Sequence, residues 1–241
     1  MKIGVLLAGC GVEDGSEVYE SVLAITALER NGVTVQALAP DIEQADVINH
    51  YTGGETRTGY AATTSRNLLP EAARIVRGKI MSLTEVSAHD IDALVIPGGY
   101  GVVKNLCTYA VDAENATVNR DVERLIQGMH GLGKPIGALC IAPVLVALAL
   151  KGTPVSLTIG NDGHTALNLT RLGANHVVTA VDDIHVDNTN HIVSTAAFML
   201  AQGPGEAEAG INKLVDQVVQ MARELGPGHP GTVVSGTVAA A

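Results

Sequence analysis

The chain has 241 residues, a formal net charge of −10, 46% hydrophobic residues and only 2% aromatic ones. That acidic balance repels phosphate backbones and excludes nucleic acid as an expected partner. No apolar run reaches the roughly 18 residues of a membrane span, so no membrane partner is expected either. Cys10, Cys107 and Cys140 are too few and too scattered for a disulfide framework or a Cys-x-x-Cys metal site. No metal or cofactor is expected. This usage suits a reducing compartment, read as the cytoplasm.

Residues 2–8 are predicted to form a buried strand. Leu7-Ala8-Gly9-Cys10 matches a lipoprotein cleavage box, but the apolar stretch before it is too short for a secretory signal. After the loop Gly9–Gly15, Ser16 is a good N-cap, and Val18, Val22, Ile25 and Leu28 supply an apolar helical face. Asn31-Gly32 stops that helix, and residues 33–39 are the second strand.

Residues 40–67 read as an irregular surface excursion rich in Gly and Thr. A short helix near 68–76 and a strand at 79–83 follow. The apolar strand 92–96 ends in Pro97-Gly98-Gly99, with a loop reaching Asn105. A helix over 117–130 leads to the strand Pro135–Leu139 and then Cys140. An apolar helix to Leu150, a strand at 155–159 and a helix at 164–172 come next. Two strands flank the turn Asp187-Asn188-Thr189-Asn190 as a hairpin, and the last helix spans 206–224. One domain over 1–225 and a flexible tail over 226–241 are expected. The order of elements predicts an α/β fold with a mostly parallel central sheet and helices on both faces, binding ligands at the carboxyl ends of its strands.

Three loops at that end carry candidate chemistry. Gly137-Ala138-Leu139-Cys140-Ile141-Ala142-Pro143 places a cysteine between strand and helix, with small neighbours on both sides. A sharp turn that presents a nucleophile needs that pattern, and a helix start favours thiolate. The bland alternative is a small buried hydrophobe. Gly98 and Gly99 allow backbone amides to approach a developing oxyanion. Glu17 could exchange protons beside the thiol, although a carboxylate at a helix start also serves as a simple cap. Glu13 and Asp14 read as solvated loop charges. His164 could assist the cysteine or simply begin a surface helix. Asn49 and His50 are candidates for the cleft wall, and Cys10 for a redox partner. Gly9-x-Gly11-x-x-x-Gly15 superficially suits a dinucleotide, but Glu13 and Asp14 would face its pyrophosphate.

Taken together, several segments resemble the ElbB family, proteins called isoprenoid biosynthesis proteins with an amidotransferase-like domain and also glyoxalases. They are Gly9–Glu17, Pro40-Asp41, Asp46–His50, Pro97–Gly101, Lys104–Leu106, Cys140–Pro143, Thr158–Gly160 and Val181–Ile184. The resemblance covers about residues 2–224. It implies a flavodoxin-like three-layer sandwich of the class I glutamine amidotransferase-like, PfpI superfamily, often homodimeric. It implies Cys140 as nucleophile, Glu17 as the carboxylate beside it, and the amides of Gly99 and Ile141 as oxyanion donors.

The function expected from cysteine and resemblance together is that of a glyoxalase III-like lyase. It would convert methylglyoxal or glyoxal to a hydroxy acid through a Cys140 hemithioacetal, with Glu17 shuttling protons. A homodimeric redox or stress-response protein with an oxidisable Cys140, or a small-amide hydrolase, are the rival readings.

Overall fold

The computed structural model describes residues 1–55 and 65–226. Its elements run β1 (Lys2–Leu6), α1 (Val18–Arg30), β2 (Thr34–Ala39), β3 (Ile48–Asn49), β4 (Gly54–Glu55), α2 (Leu68–Ala72), β5 (Ile80–Ser82) and β6 (Ala93–Ile96). They continue with α3 (Tyr100–Asn105), α4 (Tyr109–Asp112), α5 (Arg120–Gly131), β7 (Ile136–Leu139), α6 (Ala142–Ala149), β8 (Ser156–Leu157), α7 (Gly163–Arg171), β9 (Asn175–His176), β10 (His185–Asp187), β11 (Ile192–Thr195) and α8 (Pro204–Leu225). The expected tail beyond Gly226, and part of the Thr-rich excursion, lie outside the described residues.

Seven strands form the central sheet in the order β10-β11-β7-β6-β1-β2-β5. All neighbours pair in parallel except β10 with β11, whose hairpin is antiparallel. Successive strand residues point to opposite faces. Thus Leu6, Leu38, Leu94 and Ile96 feed one core, while Ile3, Val5, Ala37 and Val95 feed the other. The first core is closed by α5 and α6 and the second by α1 and α8. This is the three-layer α/β sandwich that the alternation of elements predicted. Among the described residues no helix is long and apolar enough to cross a membrane.

Five details differ from the sequence reading. First, Glu17, not Ser16, caps α1, its carboxylate accepting the Glu20 N–H at 2.7 Å. Ser16 turns inward, where its hydroxyl accepts the Ala8 N–H at 2.8 Å. Second, α1 buries Glu20, Ala24, Ala27 and Leu28, leaving Val18 and Val22 exposed. Both sets are spaced three or four apart, and small alanines let the helix pack close against α8. Third, Tyr100–Asn105 is a short helix where a loop was expected, and Tyr109–Asp112 adds another in a stretch with no predicted element. Fourth, the strand expected at 155–159 shortens to Ser156–Leu157 and pairs with β9 outside the central sheet. Fifth, Asp14 is buried, its carboxylate accepting the Ile48 N–H at 2.8 Å.

Candidate active site

β7 is fully buried, and the chain turns sharply at its end to enter α6. All eight residues of α6 are buried, which explains its uniformly apolar sequence. Between the two lies Cys140, with φ = 58°. This left-handed conformation costs a non-glycine residue about 1–2 kcal/mol, and such strain gathers at functional sites. The turn is pinned by the Cys140 N–H donating to Thr195 O at 3.0 Å. It also needs a small residue opposite. A Cβ at Gly98 would stand 2.6 Å from the Cys140 Cβ and 2.9 Å from Glu20 Oε2.

The loops after β1 and β6 are stitched together beside the cysteine. Glu17 N–H donates to Gly98 O at 2.8 Å, Tyr100 N–H to Val12 O at 2.7 Å and Gly101 N–H to Gly15 O at 3.0 Å. Gly99 adopts φ = 99°, and a Cβ there would meet the Glu17 nitrogen at 2.5 Å. Only glycine tolerates both the torsion and the approach.

The carboxylate that faces Cys140 is Glu20, one turn into α1. Its side chain is wholly buried, and both it and the Cys140 side chain close on the space over Gly98. Oε2 accepts the Gly98 N–H at 2.7 Å and Oε1 the Phe198 N–H at 3.2 Å. Burial raises the Glu20 carboxyl to about 7, with the nearby Glu17 charge adding to the effect against the two amide donors. Burial also pushes the Cys140 thiol well upward, and the Glu20 carboxylate adds to this. The N–H groups of Gly99 and Ile141 beside the sulfur pull the other way. The helix start was expected to favour thiolate, but for a thiol this deeply buried desolvation wins. What the arrangement supplies is a buried thiol beside a carboxyl that titrates near neutrality, a suitable base for it.

Cys140 opens into a cleft of about 750 Å³. Of the sequence candidates, Glu17, Gly99, Ile141 and His164 also line it. Burial raises the Glu17 carboxyl as well. His164 stands exposed in the first turn of α7, on the same cleft, but the side-chain partner of the thiol is Glu20. Gly98 does not serve as an oxyanion donor, because its N–H is committed to Glu20. Asn49 and His50 lie off the cleft lining. Asn49 caps a turn by accepting the Tyr51 N–H at 3.0 Å, and His50 packs over Gly11 and accepts the Glu13 N–H at 3.3 Å. Only His50 braces the loop after β1. Cys10 sits beside Glu71, Arg74 and Asp14 and is likewise absent from the lining, so the redox pairing with Cys140 is not built here. Cys107 is buried and pushed up to about 11 by that burial. Among the described residues no three His, Cys, Asp or Glu side chains gather as a metal ion requires.

No protein-family model matches the chain. The ES1 protein homolog, mitochondrial, of Rattus norvegicus is 42% identical over 229 residues, covering 91% of this chain and 84% of that one. The human glutamine amidotransferase-like class 1 domain-containing protein 3, mitochondrial, is also 42% identical over 229 residues, covering 91% and 83%. The chain belongs to the ES1 family. A crystal structure of an isoprenoid biosynthesis protein with amidotransferase-like domain from Ehrlichia chaffeensis superposes with a TM-score of 0.83 at 32% identity, covering 92% of this chain and 99% of that one. Drosophila melanogaster DJ-1beta, at 18% identity and a TM-score of 0.52, shares the fold. The amidotransferase-like, PfpI-type architecture expected from the motifs is therefore that of the ES1 family. The cytoplasmic placement is overturned, since these ES1 relatives are named mitochondrial.

Proposed function

We propose that this protein converts small 2-oxoaldehydes such as methylglyoxal to 2-hydroxy acids without a cofactor, as a glyoxalase III-like lyase. The observation that carries the reading is the buried Cys140–Glu20 pair at a strained elbow opening into a cleft. Glu20, as carboxylate, takes the thiol proton while Sγ attacks the aldehyde carbon. A C–S bond forms and the carbonyl electron pair moves to oxygen, near the Gly99 and Ile141 amides. Glu20 passes the proton to that oxygen, giving a hemithioacetal.

Glu17 faces the cleft with its carboxyl raised by burial, so it suits the transfer between carbons. It takes the C1 proton to give an enediolate and returns a proton to C2, while the hydroxyl proton passes from the C1 oxygen to the C2 oxygen. The product is a thioester of the hydroxy acid. Water cleaves it, releasing the acid and restoring the thiol. The two carboxyls thus divide the work, Glu20 at sulfur and Glu17 at carbon. The ElbB resemblance supports the same chemistry. The partners proposed are a small carbonyl substrate and a second copy of the chain.

The test is conversion of methylglyoxal in D2O, followed by NMR. Lactate carrying deuterium at C2 is expected from the wild type, because a carboxyl shuttle exchanges with solvent. None is expected from Cys140→Ala. Equal lactate formation by Cys140→Ala would falsify the proposal.

A further inference from the structure

The cleft is far larger than methylglyoxal requires. Five heavy atoms, each given a water's share of about 30 Å³, fill about 150 Å³ of it. Four fifths of the 750 Å³ is left for something else.

The composition of the wall says what that is. The chain has five tyrosines, one phenylalanine and no tryptophan. Tyr100, Tyr109 and Phe198 all line this cleft, with Val103, Val111 and Met199. Tyr100 is 53% exposed and Val111 87% exposed, so these apolar surfaces are unsatisfied by packing. Concentrating scarce aromatic surface at one open site fits recognition of an apolar, planar body.

The charges point the same way. Glu17 and Asp162 also line the cleft, and the exposed His164 on the same wall stands beside Asp162. Lys104 is already committed, its Nζ donating to Glu13 O at 2.8 Å and pairing with Asp46 Oδ2 at 3.0 Å. An anionic substrate would meet two carboxyl groups and no free lysine. A neutral one meets the Tyr109 hydroxyl, which accepts from Asn168 Nδ2 at 2.8 Å and so keeps its own proton for a substrate acceptor.

We infer that the preferred substrates are uncharged 2-oxoaldehydes whose ketone carbon carries an aryl or branched apolar group. The inference rests on the Cys140 chemistry proposed above and narrows its substrate class. The experiment compares kcat/KM for phenylglyoxal and methylglyoxal, and in parallel the protection of Cys140 from iodoacetamide by acetophenone and by acetone. Phenylglyoxal is expected to be favoured by at least about tenfold, the scale of discrimination that a hydrophobic pocket gives. Val111→Asp is expected to shrink that ratio. Acetophenone is expected to protect at concentrations where acetone does not. Turnover of methylglyoxal with no preference for phenylglyoxal would overturn the substrate class and leave the Cys140 reading standing. No turnover of either aldehyde, with protection by acetophenone intact, would overturn the glyoxalase reading while supporting the aryl-binding cleft. Equal protection by the two ketones would overturn the cleft assignment itself.

Discussion

Replacing Glu20 with Gln separates two effects that the structure sets against each other. The wild-type carboxyl binds its proton more tightly folded, at about 7, than at its ordinary 4.5. Between those values the folded state holds more protons, so stability falls as pH rises through that window. For a wholly buried group the fall amounts to about 3 kcal/mol. Gln does not titrate and escapes it. Gln, however, offers one oxygen where two accepted the Gly98 and Phe198 amides. One buried donor is left unpaired, at a cost of about 1–3 kcal/mol at every pH. Glu20→Gln should therefore be clearly less stable than wild type at pH 5 and equal to or more stable than wild type at pH 8. With about 2–4 °C per kcal/mol for a chain of this size, the gap in Tm should move by about 6–12 °C across the range. Urea unfolding of both proteins from pH 5 to pH 8 measures this. A stability difference that stays constant over that range would refute the assignment of Glu20 as a carboxyl titrating near neutrality.

Other consequences follow from the same geometry. Gly98→Ala should yield protein that is unstable or inactive, since its Cβ meets the Cys140 Cβ at 2.6 Å; thermal unfolding and lactate assays read this. Glu17→Gln should keep Cys140 open to alkylation but lose most turnover and C2 deuteration, because it removes the base at carbon and not the one at sulfur. In the native protein Cys107 should resist iodoacetamide at pH 8 by peptide mass spectrometry, being buried with its thiol near 11, and should react once unfolded.

The fold was largely legible because apolar strands, helix stops and turn residues signal locally. The hairpin at Asp187–Asn190 and the elbow at Cys140 were read from short stretches. Glu20 is hard to read from the sequence because the valines of α1 form an apolar stripe of their own at helical spacing. Its signal was present: it sits in phase with Ala24, Ala27 and Leu28, four, seven and eight residues on, so the helix was carrying a carboxylate on its alanine stripe. Which stripe faced inward depended on the close approach of α8, a contact some 180 residues distant that no local pattern reports. The direction of the Cys140 shift is hidden from the sequence for a related reason. Helix-start amides are visible in the sequence, but the completeness of burial is a property of the assembled core. Asn49 and His50 lie in a neighbouring segment, off the cleft, where Asn49 holds its own turn and His50 braces the loop after β1.

The most direct test of the Cys140–Glu20 pair is the pH dependence of Cys140 alkylation in wild type and Glu20→Gln. The wild-type rate should rise through about pH 7, as the pair loses its first proton. In Glu20→Gln that step should vanish, leaving only a rise at higher pH from the desolvated thiol. The same profile in both proteins would show that Glu20 does not govern the sulfur, and the proposed chemistry would lose its base.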